Sequence, residues 1–159
     1  MTSVPFDTWQ LIALAGALGW ASGVRLYLVI CAVGLGGHLG YIELPAGLKV
    51  LQHPWVMGTA GFMLVVEFFA DKVPAVDSAW DAIHTFIRIP AGALLAAGAT
   101  GDTLTALTVA AGLLGGTITA GTHFTKAGGR ALINASPEPF SNWAASFTGD
   151  MAVLAGILF

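Results

Sequence analysis

Residues Trp9 to Leu35 read WQLIALAGALGWASGVRLYLVICAVGL, an almost unbroken apolar run whose one charge is Arg25. A helix that crosses a bilayer needs about 20 such residues, so the run exceeds a single span. Two arrangements fit it. One is a tilted helix, and the other is a helix broken near Gly19-Trp20-Ala21-Ser22-Gly23, where small residues weaken the helical ladder. No small-residue cleavage site precedes a soluble region, which argues against a signal peptide.

The rest of the chain supports this class. Of 159 residues, 56% are hydrophobic and 9% charged, against about 25% charged in an ordinary soluble domain. Mean hydropathy is +0.80. Disorder is excluded, because it requires low hydrophobicity and high charge. So few charges cannot cover a water-facing surface. A net charge of −3 gives no footprint for nucleic acid. The single cysteine, Cys31, excludes an intrachain disulfide and a cysteine-based metal site.

Four further elements follow. They run over 54–69, opened by Pro54; 78–99, with Pro90 inside; 104–122, capped by Asp102; and 143–159, capped by Ser141 or Asn142. The connections 36–53 and 123–142 are rich in Gly, Pro, Ser and Asn. The ten-residue alternation of a membrane barrel is missing. The expected fold is an all-α membrane protein, one transmembrane domain over 1–159 with about five membrane helices, the third either spanning or lying at the interface. Lys72, Lys126 and Arg130 fall on the N-terminal side and Lys49 opposite. This bias places the N-terminus in the cytoplasm.

The chain also matches itself. Ala15-Gly16-Ala17-Leu18-Gly19 agrees with Ala111-Gly112-Leu113-Leu114-Gly115 in four of five places, at an offset of 96. Trp55, Gly61, Met63 and Val65 agree with Trp143, Gly149, Met151 and Val153, at an offset of 88. The halves are then repeat A, about 9–70, and repeat B, about 103–159, around a central element at about 75–99. An odd number of elements separates their starts, which inverts the second half. Inverted repeats with broken or re-entrant helices are a transporter architecture. The expected breaks are at Gly19 to Gly23 and at Gly115 to Gly121.

Charge is concentrated. Glu67, Asp71, Lys72, Asp77, Asp81 and Arg88, six of the fifteen charged residues, lie within 22 positions, and His84 is among them. At 100° per residue, Asp77, Asp81, His84 and Arg88 share about 60° of one helical face. Ionisable groups at membrane depth are costly and must face inward or water, and pair. Arg88 is expected to pair with Glu67 or Asp81. Three readings of this face stay open. It can be an interfacial amphipathic helix with its polar face in water, started by the capping box Ser78-Ala79-Trp80-Asp81. It can line a substrate or ion path. It can hold a divalent metal on Asp77, Asp81 and His84, with Asp71 and Glu67 near, a donor set that suits Mn or Fe but matches no specific motif.

Elsewhere, His123, Thr125, Lys126 and Arg130 read as part of an interfacial loop, with prolines flanking Glu138. A re-entrant segment there would offer Glu138, Ser141 and Asn142 to a substrate. Asp150 stands alone in the last span and requires a cation from another helix, with Arg25, Lys126 and Arg88 as candidates. Arg25 can instead snorkel to the interface. The five tryptophans mostly sit at span ends, as in an aromatic belt.

The run from Glu67 to Arg88 followed by Pro90-Ala91-Gly92-Ala93 resembles the core motif of a bacterial family of small integral membrane proteins, described only as a domain of unknown function. Thr125-Lys126-Ala127-Gly128 and Ser136-Pro137-Glu138-Pro139-Phe140-Ser141-Asn142-Trp143 are similar to its second motif. The resemblance covers nearly the whole chain. It implies a place in the bacterial inner membrane and names no substrate or cofactor.

The residues therefore lead to a transporter or channel for a small solute or ion, acting in more than one copy because five short helices enclose little volume. Its path would be lined by Glu67, Asp71, Asp77, Asp81, His84, Arg88, Glu138, Asn142 and Asp150, with His84 able to carry protons. No cofactor is expected beyond the possible divalent metal. The alternatives are a membrane enzyme or lipid-handling protein acting on a headgroup, and a structural subunit of a membrane complex.

Overall fold

A computed structural model describes residues 7–101, 105–135 and 139–158. Five α-helices and one 3-10 helix make up the fold, with no strand among the described residues. They are α1 (Thr8–His38), the 3-10 helix (Ala46–Gln52), α2 (Pro54–Ala70), α3 (Pro74–Thr100), α4 (Ala106–Asn134) and α5 (Pro139–Leu158). The stretches Thr8–His38 and Ala75–Thr100 are long and apolar enough to cross a membrane.

Local chemistry sets the helix starts. The Asp7 side chain accepts from the Gln10 amide, and the Gln10 side chain accepts in return from the Asp7 amide, a reciprocal cap. His53 and Thr105 cap α2 and α4 through Nδ1 and Oγ1. Helices α2, α3 and α5 begin at proline, where the missing N–H costs no hydrogen bond. Three boundaries differ from expectation. Helix α3 starts at Pro74, so Ser78 and Asp81 are not its cap. Helix α5 starts at Pro139, which puts Ser141 and Asn142 inside it. Helix α4 continues past Thr122 to Asn134, turning most of the expected second loop into helix. Asp102 lies outside the described residues.

The break in α1 falls at Arg25, whose backbone is extended (φ −147°, ψ 75°), two residues past the expected Gly19 to Gly23. The chain turns back there. Val33 lines one cavity with Leu14, Leu18 and Ala21, whereas a straight helix would hold Val33 about 28 Å from Leu14. The second half of α1 then runs antiparallel to α2. Arg25 reaches Asp71, Cys31 faces Gly61, and Gly34 sits against Leu51 and Met57.

The first half of α1 lies along α4. Thr119 Oγ1 donates to Gly19 O at 2.8 Å, Thr122 Oγ1 donates to Trp20 O at 3.2 Å, and Gly23 abuts Thr119 and Thr122. Numbers rise together on both helices, so they run parallel. The matched stretches 15–19 and 111–115 are thus packed side by side in the same direction, not inverted. The turn at Arg25 adds a pass that counting whole elements missed. Helix α4 is unbroken, so Gly115 and Gly121 are not breaks in it. Gly115 instead lets Ala96 of α3 approach, and α3 pairs antiparallel with α4 from Gly92 at Thr119 to Thr100 at Thr108.

A methyl group on Gly19 would stand 2.8 Å from the Gly115 carbonyl oxygen and 3.0 Å from its Cα. Both are backbone atoms that cannot step aside. Gly16 has nothing within 4 Å of that position. Gly19→Ala is therefore expected to lower the melting temperature in detergent clearly, while Gly16→Ala leaves it unchanged or raises it slightly, since alanine is the better helix former by up to ~1 kcal/mol. Equal melting of the two variants would show that the helices do not touch at Gly19.

Candidate functional site

The bundle is apolar outside and charged inside. Phe86, Leu94, Leu113, Leu132 and Trp55 are exposed, while Arg25, Glu67, Asp71, Asp77, Asp81, Arg88 and Arg130 are buried. All five α-helices contribute to one polar network, built where the turn in α1, the end of α2, the first half of α3, the last turns of α4 and the first half of α5 meet.

Arg25 is its hub. Its extended backbone aims the guanidinium at three carboxylates. Nη1 pairs with Asp71 and lies 3.4 Å from Glu67, and Nε lies 2.7 Å from Asp150. Nη2 donates to Ser146 O and Oγ at 3.1 and 2.9 Å. Arg88 on α3 binds Glu67 and, at 3.3 Å, Asp81. Lys126 on α4 stands 3.6 Å from Glu67 and 3.5 Å from Asp81. Arg130, one turn later, donates to Asp71 Oδ2 at 3.2 Å and to Asn142 Oδ1 at 2.9 Å, and lies 3.8 Å from Asp77. Asn134 Nδ2 donates to Asp77 at 2.9 Å, and Asn142 Nδ2 donates to Asn134 at 2.7 Å. At Asp71, in the turn after α2, burial disfavours the carboxylate, but Lys126, Arg25 and Arg130 outweigh it and hold the group below its usual range.

Two histidines complete the network, with roles set by their partners. A carbonyl only accepts, so His84 Nδ1 donates to Trp80 O at 2.9 Å. In the neutral ring, Nε2 then accepts from the Tyr27 hydroxyl at 3.0 Å. His84 also stacks on Trp80, with centroids 4.0 Å apart. Thr85 spends its proton on Asp81 O, so its oxygen accepts from His123 Nε2 at 2.7 Å, which leaves Nδ1 facing an Arg88 donor at 3.4 Å.

The network is not saturated. Glu67 Oε2, Asp71 Oδ1, Asp77 Oδ1, Asp81 Oδ2 and Lys126 Nζ are buried without a hydrogen-bond partner. Orphaned donors and acceptors together mark a place where water or a polar ligand fits. Two cavities flank α5 and reach the network. One, of about 490 Å³, has Trp20, Thr122, Thr125, Lys126, Arg130 and Thr148 in its walls. The other, of about 400 Å³, has Arg25 and Asp150 among Leu64, Val65, Phe68, Phe69 and Leu154.

A family model described as Domain of unknown function (DUF4126) matches residues 12–159. The chain belongs to this family. No curated protein and no solved structure matches it. In this DUF4126 chain the expected face of Asp77, Asp81, His84 and Arg88 is buried against other polar groups, which overturns the reading of an interfacial helix with that face in water. Glu67, Asp71, Asn142 and Asp150 join the same network, and Arg88 pairs with both Glu67 and Asp81. Glu138 lies outside the described residues.

Among the described residues no three His, Cys, Asp or Glu side chains are grouped to hold a metal ion. Asp77 and Asp81 are turned to Arg130, Asn134, Arg88 and Lys126, and both His84 nitrogens are engaged. Trp80 packs on His84 and is no belt residue. Lys126 and Arg130 sit inside the bundle, so the loop-charge bias behind the expected orientation no longer holds.

Tyr27, Thr85, His123, Asn134 and Ser146 are network members that the sequence reading did not select. The spacing of His123, Lys126, Arg130 and Asn134, at three, four and four, was the available signal, since it traces one face of a helix.

Proposed function

We propose that the protein is an integral membrane transporter or channel for a small solute or ion, whose path runs along the buried network between the two cavities beside α5. The observation that carries this is the inside-out distribution. Nine charged side chains, five acidic (Glu67, Asp71, Asp77, Asp81, Asp150) and four basic (Arg25, Arg88, Lys126, Arg130), are gathered in the interior. Large apolar side chains face outward, an arrangement that suits lipid and not water. Holding nine charges in a core is expensive, and hydrophobic residues of similar volume would often stabilise the fold as well or better. A chain that keeps them uses them.

The mixture of signs favours a carrier over an open pore. Ion channels line their filters with dipoles or with rings of one charge, whereas here acids and bases interleave. A free cation would meet four fixed positive groups and a free anion five negative ones. An enzyme acting on a headgroup through His84 would need an opening to lipid beside that residue, and His84 lines neither cavity flanking α5.

The test is flux in liposomes carrying the purified protein, over a panel of monovalent and divalent ions and small zwitterionic and neutral solutes. Wild-type vesicles are expected to move at least one of these. Asp81→Asn, which keeps the side-chain shape but lowers the charge facing Lys126 and Arg88, is expected to reduce the rate at least tenfold. Absence of flux for every solute, with protein shown folded by its melting transition, would remove this reading.

A further inference from the structure

Five carboxylates share the network with four cations, so it is one positive charge short. Glu67 and Asp81 share Arg88 and Lys126, and Asp71 has Arg25 and Arg130. Asp77 and Asp150 have one cation each within ion-pair reach, and in both cases Asp71 already claims it. Asp77 has Arg130 at 3.8 Å, accepts an amide hydrogen from Asn134 and is wholly buried. Asp150 has Arg25 at 2.7 Å, and its side chain is 18% exposed, facing the 400 Å³ cavity between α2 and α5.

Other charges face Asp150 from every element around it. Arg25 approaches from α1, Glu67 from α2, Asp71 and Lys72 from the turn after it, and Lys126 from α4. Lys72 does not close the gap directly. Its ammonium donates to Phe68 O at 2.9 Å and rests over the Phe68 ring at 3.0 Å. Of the two singly paired acids, Asp150 alone can take a proton from a cavity without the network opening.

We propose that Asp150 carries an exchangeable proton and couples translocation to proton movement. A hydronium ion in the cavity gives its proton to the free carboxylate oxygen of Asp150 and leaves as water. An O–H bond forms, the carboxylate becomes a neutral acid, and the network goes from one negative charge in excess to balance. The Arg25 hold on α5 weakens at that moment, because a charge-assisted contact becomes a neutral one. Loss of the proton to the cavity restores it. The coupling rests on the transport reading above, whereas the proton site does not.

The experiment therefore has two arms. In the first, protein labelled with carbon-13 at the aspartate carboxyl is titrated by NMR in detergent. One carboxyl resonance is expected to titrate apart from the others while the protein stays folded. It should be absent in Asp150→Asn, which preserves an acceptor for Arg25 and hence the fold, and present in Asp77→Asn. A titrating resonance that survives in Asp150→Asn, or disappears in Asp77→Asn instead, overturns the assignment and leaves the transport reading untouched. In the second, liposome flux is followed with an internal pH dye. Wild-type flux should acidify or alkalinise the lumen and depend on pH, and Asp150→Asn should abolish both effects. Solute flux with no proton movement in the wild type overturns the coupling. No flux of any solute overturns the transport reading and the coupling together, with the first arm still deciding the proton site.

Discussion

Arg25→Met is expected to be the most damaging single substitution in the chain, with little folded protein recovered and no cooperative melt above ambient temperature. The guanidinium contacts Asp71, Glu67 and Asp150 and donates to both oxygens of Ser146, so methionine strips a positive partner from three acids at once, two of them fully buried. Removing one partner of a single buried ion pair costs about 3–5 kcal/mol, and whole domains are stable by only about 5–15 kcal/mol. Two of the acids, Glu67 and Asp71, retain other cations, but Asp150 has none left in reach. Arg25 is also the residue at which α1 turns, and its side chain ties the turn to α2 and α5. Arg25→Lys keeps the charge but cannot serve three carboxylates with a planar fork, and should fall between wild type and Arg25→Met. Lys49→Met, at an exposed position of the 3-10 helix, controls for loss of a positive charge as such. The check is a thermal melt of purified protein together with its yield. An Arg25→Met melt within about 1 kcal/mol of wild type would mean that the carboxylates around it are neutral, and the charge count of the network would have to be redrawn.

The sequence made the elements legible through length and apolarity, because those properties are local. Pro54, Gly92 and the run from Ala106 each act on the chain within a few residues. A break in α1 was legible to within two residues from the small residues at Gly19 to Gly23, but the reversal at Arg25 was not, because nothing local demands it. Its backbone leaves the helix where three carboxylates distant in sequence draw the guanidinium out, so the cause lies in α2 and α5. The same is true of the second half of α4. Gly128-Gly129, with His123, Lys126 and Arg130 among them, reads as loop when apolarity is the criterion, yet those polar residues are the inner face of a helix. In an inside-out bundle the buried stripe is polar, so a search for apolar stripes ends a helix too early. The charged face of α3 was legible because four residues at helical spacing stand out in a chain with so few charges, and Asp150 because it stands alone. The repeat was half legible. Of the matched glycines, Gly19 and Gly115 do mark equivalent stretches, but they match because each must let a neighbouring helix close, and that requirement says nothing about direction.

The double substitution Glu67→Met with Arg88→Met separates what the network does for stability from what it does for function. Each single change leaves a buried charge short of a partner and should cost about 3–5 kcal/mol. Glu67→Met deprives Arg88, Lys126 and Arg25 of a shared carboxylate, and Arg88→Met leaves Glu67 and Asp81 with less than they need. Together the two changes remove one charge of each sign. Lys126 then pairs with Asp81, and Arg25 and Arg130 pair with Asp71 as before. Methionine also fills an irregular space well. The double variant should therefore melt well above the sum of the singles, by a coupling of about 2–3 kcal/mol, and be recovered folded. Its flux should nevertheless be lost, because the charges with which Glu67 and Arg88 meet a solute in the path are gone. A folded double variant that moves solute at the wild-type rate would show that the Glu67–Arg88 pair is structural ballast and that the path runs elsewhere. A variant that is folded and inactive ties the buried charge to translocation, because restoring stability without restoring charge would have failed to restore flux.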